Sequence, residues 1–269
     1  MKASPQARSL QLVLWLFGSV LLAFILVPLL GLAVKQSPAN IRHVLGMPDA
    51  RAAIVLTLEA ALSASAVAML FGAPLAYLLS RGRFPGRRVL EAIVDMPLAI
   101  PHTVVGIALL EVFGRQGVLG KPALEWFGIS FWSTFPGVLI AMLFVSLPYT
   151  VSSAKIGFDA IDPRLEKVAR TLGAGPWRVF AKVTLPLVWP ALMTGFTLTF
   201  ARSISEFGAV VILAYYPETA PVKIYELFLQ NGMGDSGALA LIVLVISLLL
   251  FVLFRHFLFG RGPRSSYGR

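Results

Sequence analysis

The sequence contains no cysteine. Disulfides, thiolate metal sites and cysteine nucleophiles are therefore excluded. The three histidines, His43, His102 and His256, are far apart and lack the H-E-x-x-H spacing of a zinc centre, so we predict no metal site. Because no nucleophile, acid and base group together either, we predict no catalytic residue and disfavour a membrane-embedded enzyme.

Charged residues are scarce as well. They make up 13% of the 269 residues, whereas 57% are hydrophobic, and the mean hydropathy is +0.81. Such a composition is typical of an integral membrane protein. A net charge of +10 would suggest nucleic acid in a soluble protein, but here the cations lie in short loops beside apolar runs. We interpret them as a topology signal and predict no nucleic-acid partner.

Six apolar runs are long enough to cross a bilayer, which takes about 20 helical residues. They cover residues 12–34, 54–79, 92–113, 135–153, 191–214 and 238–259, and Pro97 and Pro101 interrupt the third run. We therefore predict an all-α integral membrane protein with six transmembrane helices. The first run is longer than the apolar region of a signal peptide, so we predict a retained helix.

The predicted organisation has three parts. Residues 1–53 hold the first transmembrane helix and an outer loop, residues 54–259 form the transmembrane core, and residues 260–269 are a basic tail. A short surface helix is expected at 40–45. Residues 221–231 place Ile224, Leu227 and Phe228 on one helical face, which could dock a partner protein or lie on the membrane surface.

The distribution of cations predicts the orientation. With six spans, both termini lie on one side, and the segments on that side hold two, four, six and four lysines and arginines in chain order. All the opposite loops together hold six. By the positive-inside rule, the N and C termini are cytoplasmic.

The loop at residues 155–190 is the most informative stretch. Asp162 and Pro163 are typical of a helix start, and Gly173 followed by Gly175-Pro176 is typical of a helix end. A second amphipathic helix is predicted from Trp177 to Pro186. A basic, two-sided loop of this kind lies on a membrane surface or fits a groove of another protein.

This loop resembles the E-A-A-x3-G-x9-I-x-L-P signature of ABC importer permeases. Its residues are Lys167-Val168-Ala169, then Gly173, then Val183-Thr184-Leu185-Pro186. In that family the loop is a coupling helix, which sits in a cleft of the ATPase subunit and transmits its closure. Lys167 stands where the signature glutamate belongs, Glu166 precedes it, and Val168 replaces the first alanine. The resemblance assigns ATPase coupling to Glu166, Lys167, Ala169, Gly173, Leu185 and Pro186.

A second set of residues lies within the predicted fifth span. Inserting an arginine at the middle of the bilayer costs about 2.5 to 3.5 kcal/mol of free energy. We therefore expect Arg202 to have an ion-pair partner or a functional role. Glu206 is one helical turn further on and could form an ion pair with it. Either the two only neutralise each other, or they line or gate a pathway to which Ser203 and Ser205 contribute hydroxyls.

The interrupted third span offers further hydrogen-bonding groups. Pro97 and Pro101 open the backbone, and His102 and Thr103 follow the break. Donors of this kind suit selection of a tetrahedral oxyanion at a pore. The alternative for His102 is simple packing against a neighbouring helix.

The motifs together narrow the resemblance. Residues 74–81, 84–86, 101–106 and 204–209 resemble the molybdate/tungstate permeases, which are relatives of the sulfate permeases, and the similarity extends over residues 55–254. The sequence at 214–217 and at 224–226 is similar to the tungstate/molybdate branch.

The resemblance implies a type I ABC importer permease in the cytoplasmic (inner) membrane of a bacterium or archaeon. It would act as a lipid-embedded homodimer, because one copy forms half of a pore. Its partners would be two ABC ATPase subunits and an extracytoplasmic oxyanion-binding protein. The chain has no Walker A motif, so no cofactor is expected on it, and ATP and Mg would belong to the ATPase. A sulfate or thiosulfate permease is one alternative, and a secondary transporter or channel is another.

Overall fold

A computed structural model describes residues 5–259, so the basic tail predicted at 260–269 lies outside the described residues. No β-strand occurs within 5–259. A 3-10 turn at Met96–Leu98 and a π-helical turn at Phe180–Thr184 accompany the α-helices. These are α1 (Pro5–Lys35), α2 (Pro38–Gly46), α3 (Pro48–Arg81), α4 (Arg87–Asp95), α5 (His102–Phe113), α6 (Gly120–Phe127), α7 (Phe135–Asp159), α8 (Pro163–Thr171), α9 (Pro176–Val179), α10 (Leu185–Ile204), α11 (Val210–Leu213), α12 (Ala220–Asn231) and α13 (Met233–Phe259).

Five helical stretches within 5–259 could each cross a membrane alone: residues 11–35, 48–81, 135–159, 176–204 and 233–254. The predicted third span is a bent pair, in which α4 with its 3-10 turn meets α5 at 109°. Pro97 and Pro101 cause this break, because proline lacks the N–H that would continue the helix. Counted as one crossing, the pair gives the six spans predicted. The apolar surface of α1 is exposed along residues 11–35, as suits contact with lipid.

The core is a bundle of α3, α7 and α10. The face of α3 turned towards the bundle is built from small residues, namely Ala53, Ala60, Ala61, Ala64, Ala68, Gly72 and Ala76. Small residues let membrane helices approach closely. Buried hydroxyls join α7 to α10, since the oxygens of Thr150 and Thr199 lie 2.6 Å apart. The bundle is therefore the rigid frame of the chain.

The fifth span ends earlier than the sequence predicts. The expected helix over residues 191–214 stops at Ile204, and only the short α11 follows. Side chains compete for the backbone here: the Ser205 hydroxyl donates to the Arg202 carbonyl (2.9 Å), and Glu206 Oε1 accepts from the Ala209 N–H (2.8 Å). The segment between Ser205 and Ala209 is thus irregular backbone beside the bundle.

The predicted helix at residues 221–231 is present as α12, but its apolar face is used internally. Leu227 is 4% exposed and packs with Val44 of α2 and Leu239 of α13, and Ile224 lies against the same group. Leu227 therefore serves the packing of the fold, and docking of a partner or contact with the membrane surface stays a prediction for the exposed part of this face. Phe228 alone of the three remains 46% exposed.

The loops predicted to share a side lie together. Arg81, at the end of α3, contacts Glu166 of α8, which joins the two basic loops. On the opposite side, Asn40 of α2 donates to the carbonyl of Gly234. The packing thus agrees with the alternation of sides inferred from charge.

Candidate functional site

Two breaks in the transmembrane region meet at one point. The C-terminal end of α10 carries Arg202, and the N-terminal end of α5 begins with His102. Arg202 Nη2 lies 2.7 Å from Glu206 Oε2 and 2.7 Å from His102 Nδ1, and His102 Nδ1 lies 3.1 Å from Glu206 Oε2. Arg202 Nη1 also donates to Ser205 Oγ (3.1 Å). We call His102, Arg202, Ser205 and Glu206 the Arg202 cluster.

The charges of the Arg202 cluster differ in accessibility. The Glu206 side chain is 0% exposed, whereas those of Arg202 and His102 are 18% and 38% exposed. A buried carboxylate needs a cation and hydrogen bonds, and Glu206 has both through Arg202 and the Ala209 N–H. The guanidinium has five N–H donors, two of which have no partner among the described residues. Arg202 therefore holds Glu206 and still has two N–H donors for a further acceptor.

Two glycines allow the irregular segment to lie directly on α5. A Cβ atom at Gly208 would be 2.8 Å from the Cβ of His102, and one at Gly106 would be 2.9 Å from the Cβ of Ile212. Such distances are too short for a real side chain, so only glycine permits this approach. The contact brings Glu206 within reach of His102.

The other predicted pathway residues lie apart from these contacts. Ser203 is buried, and its hydroxyl donates to Ser146 Oγ of α7 (2.9 Å). Thr103 is exposed one residue beyond His102, in the first turn of α5. Its N–H belongs to the group that a helix N-terminus leaves unpaired, a position that favours anions. The structure thus gathers four of the six predicted residues.

The coupling loop has the predicted start and turn. Asp162 caps α8 by accepting from the Arg164 N–H (2.8 Å), and Gly173 ends this helix in the left-handed region with φ +84°. The second helix was predicted to end at Pro186, but it continues beyond this residue. Through the π-helical turn at 180–184 it runs on into α10, so that residues 176–204 form one stretch. Pro186 lies just after the π-helical turn, where the regular α-helical hydrogen-bond pattern is already interrupted, so its missing N–H breaks no continuous ladder.

Glu166 and Lys167 point in different directions. Glu166 is 6% exposed, and its carboxylate accepts from Arg81 Nε (3.3 Å), Thr184 Oγ1 (3.2 Å) and Tyr77 Oη (3.5 Å). We call this group the Glu166 anchor; it fastens α8 to the end of α3 and to the turn before α10. Lys167 is exposed. Sequence reasoning missed Arg81 as a partner, although its place in a basic turn ending a span was a usable signal.

Apolar side chains stand out from the coupling loop. Val168 is 57% exposed, Leu172 83% and Trp177 85%. The cations Lys167 and Arg170 lie among them and are exposed too. Exposed apolar groups in a polar rim mark a protein-interaction surface. Of the other predicted coupling residues, Gly173 and Pro186 are exposed, and Ala169 and Leu185 are half-buried.

Comparison with known proteins identifies the family. Residues 68–264 match the family described as binding-protein-dependent transport system inner membrane component. The chain belongs to this family. It is thus a multi-pass permease component of an ABC transporter.

Curated relatives align over most of the permease. The molybdate/tungstate transport system permease protein WtpB of Thermococcus kodakarensis is 42% identical over 246 residues, which cover 91% of this chain and 94% of the relative. The molybdenum transport system permease protein ModB of Escherichia coli is 38% identical over 221 residues, covering 81% and 96%. A probable sulfate transport system permease protein, cysT, of Chlorella vulgaris is 37% identical over 214 residues, covering 78% and 80%.

Solved structures show the same fold. A bacterial alginate ABC transporter, in complex with a periplasmic protein that holds an alginate pentasaccharide, superimposes with a TM-score of 0.71 at 20% identity. The superposition covers 93% of this permease and 94% of that chain. The fold is that of a type I ABC importer permease, as predicted.

Proposed function

We propose that this permease carries molybdate or tungstate across the cytoplasmic membrane, as a subunit of an ATP-driven importer. The names of the relatives that align over most of the chain support this substrate class. The observation that carries the proposal is the Arg202 cluster, a hydrogen-bond-donating group at a break between two transmembrane helices. The similarity to a sulfate permease supports sulfate or thiosulfate as the second candidate.

The cluster has the chemistry that a transient oxyanion site needs. Arg202 and the N-terminus of α5 with Thr103 supply donors to tetrahedral oxygens. Glu206 already occupies one edge of the guanidinium, so a passing anion meets a site that is partly neutralised. This partial neutralisation would weaken anion binding and so favour the release that transport requires. The permease performs no covalent step.

The complex we propose contains two copies of this chain, two ATPase subunits that bind ATP and Mg, and an extracytoplasmic binding protein. A single copy provides one Arg202 cluster and one wall of a pathway. A second copy, related by twofold symmetry, would supply the facing wall. Ser203, buried against α7, then supports the wall, while the partly exposed Arg202 and His102 face the pathway.

A continuous structural connection supports alternating access. The exposed face of α8, with Lys167, would enter the ATPase cleft, and Gly173 would shape its turn. The Glu166 anchor joins α8 to the turn that leads into Leu185 and Pro186 of α10. The 20 residues of α10 span about 30 Å and carry Arg202 near the far end. Movement of the coupling loop would thereby tilt the helix that bears the Arg202 cluster.

The test is reconstitution into liposomes with the cognate ATPase and binding protein. We expect ATP-dependent tungstate uptake that molybdate inhibits and sulfate does not. Inhibition by sulfate at equal concentration would instead indicate a sulfate permease. Uptake that ignores ATP and follows an imposed ion gradient would instead indicate a secondary transporter.

A further inference from the structure

A buried lysine on the outer side has no role in the mechanism described above. Lys223 of α12 is 7% exposed, and its ammonium lies 2.7 Å from Asp49 Oδ2, 2.7 Å from Glu226 Oε2 and 3.3 Å from Glu218 Oε2. We call Asp49, Glu218, Lys223 and Glu226 the Lys223 clasp. Sequence reasoning counted Lys223 only as one of six outer cations.

The clasp joins three separate parts of the chain. Asp49 opens α3, Glu218 lies in the segment before α12, and Lys223 and Glu226 belong to α12 itself. A second contact supports the same junction, because the Ala220 N–H donates to the buried Thr57 Oγ1 of α3 (2.7 Å). The outer end of α12 is thus fixed to the rigid bundle at two points.

The ionisation of the clasp agrees with this tight packing. Burial, together with the neighbouring Glu226 carboxyl, raises the pKa of Glu218. Burial by itself would lower the pKa of Lys223, but the three carboxylates around its ammonium outweigh burial and raise that pKa. One buried oxygen of Glu218, Oε1, has no hydrogen-bond partner among the described residues. The ammonium is therefore the group that makes this concentration of carboxylates stable.

The opposite side of α12 faces the Arg202 cluster. Residues two apart on a helix differ by about 200° in direction, so Tyr225 points away from the clasp. Its ring packs edge-on against Phe207, with centroids 5.2 Å apart. Phe207 directly follows Glu206, and Ser205, Phe207 and Tyr225 line one apolar cavity of about 690 Å³. The helix that Lys223 fixes is thus in contact with the irregular segment of the pathway.

We propose that Lys223 is a positioning residue for transport: by fastening α12 to α3, it holds Tyr225 against Phe207 beside the Arg202 cluster. This inference rests on the proposed function, because it takes the Arg202 cluster to lie on the anion pathway. Without the clasp, α12 would keep its apolar contacts with α13 and the Ala220–Thr57 hydrogen bond, but this single bond to α3 would leave its angle to α3 free to change. The irregular segment would then lose the support of Tyr225.

The test is a double-mutant cycle on tungstate uptake by the reconstituted complex. We expect Lys223→Met to lower the uptake rate about tenfold and Tyr225→Leu to lower it similarly, since residues coupled through a shared shift of the backbone interact at about this level. The double variant should be no slower than the slower single variant, because both changes remove the same support. Lys223→Arg should retain most of the activity. Lys121→Met is the matched control, since that lysine is an exposed outer cation with one long ion pair to Glu125 (3.9 Å).

Two results would overturn the positioning role. One is unchanged uptake by Lys223→Met, and the other is a double variant whose loss equals the product of the single losses. Should Lys223→Met fail to fold, Asp49→Asn replaces it in the same cycle, because that side chain is 58% exposed. Arg202→Ala, assayed in parallel, separates the two proposals: normal uptake by this variant rejects the pathway itself, whereas its loss beside a normal Lys223→Met rejects the clasp alone.

Discussion

The Glu166 anchor and the Arg202 cluster stand at opposite ends of α10, and each sets a buried carboxylate against an arginine. They differ in what the pair connects. Glu166 reaches Arg81, 85 positions away in sequence, so it ties two helices together. Glu206 pairs with Arg202 only four positions away, and a half-exposed His102 is its link to α5. The first arrangement is suited to transmitting force, and the second can open without unfolding the chain.

Of the changes proposed for these two sites, removal of Arg202 should have the largest effect on stability and uptake. Arg202→Ala leaves a fully buried carboxylate without its cation, and loss of one partner of a buried pair costs about 3 to 5 kcal/mol. We expect a lower unfolding temperature in detergent and loss of uptake. Arg202→Met combined with Glu206→Gln should restore the unfolding temperature but not uptake. If the double variant recovered both the unfolding temperature and uptake, the only role of Arg202 and Glu206 would be to neutralise each other.

Breaking the Glu166 anchor should have a smaller effect on stability and a larger one on coupling. Glu166→Gln keeps an acceptor for Thr184 but removes the charge beside Arg81, whose side chain is 18% exposed. We expect ATP hydrolysis to continue while uptake per ATP falls by about tenfold, as for loss of a contact between coupled elements. The control is Arg164→Gln, which removes an exposed charge in the first turn of the same helix. Equal ratios of uptake to hydrolysis in wild type and Glu166→Gln would show that the anchor transmits nothing.

The turn after α8 provides a second test of coupling, with a smaller expected loss of stability. Gly173 has φ +84°, and a β-branched residue in that region costs about 1 to 2 kcal/mol. Gly173→Val should leave the protein inserted and monodisperse while separating hydrolysis from transport. Gly175→Ala is its control, because a Cβ there meets no atom within 4 Å. Normal transport by Gly173→Val would argue against the coupling role of this turn.

Glu218 provides a third buried carboxylate and the smallest expected effect. The pKa of Glu218 is raised above 4.5, mainly by burial. The titratable groups around it are Asp49, Glu226, Tyr215 and Lys223. The folded state therefore binds this proton more tightly than the unfolded chain does, and the free energy of unfolding falls as pH rises from 4.5 through the raised pKa. The pKa of Glu226 is lowered, chiefly by Lys223, so its contribution is lost as pH falls through that lower pKa.

Thermal unfolding measured against pH tests this sign. Glu218→Gln should flatten the decline in stability above pH 4.5, since glutamine resembles the protonated acid and cannot ionise. Glu125→Gln, on an exposed ion pair, should leave the profile of the wild type in place. A decline of unchanged slope in Glu218→Gln would place the titrating group elsewhere.

Local signals predicted much of the candidate site. The Asp162 cap, the Gly173 turn and the break at Pro97 and Pro101 lie where the sequence indicates, because each depends on the preferences of a few neighbouring residues. The pairing of Arg202 with Glu206 was foreseen for a helical reason, yet Glu206 lies beyond the end of α10. The spacing of four residues was sufficient, although the backbone between them is not a continuous helix.

Composition and local pattern alone determined the membrane class, the number of crossings, the cytoplasmic side and the family signature, since apolar length and the placement of cations are properties of short segments. Only the tertiary structure decided which charged groups meet. Glu166 with Arg81, His102 with Arg202 and Lys223 with Asp49 join residues at least 85 positions apart, and no local preference specifies such a partner. Their pairing follows from how α3, α5, α8, α10 and α12 pack, because a buried charge must lie where the fold brings an opposite charge within reach.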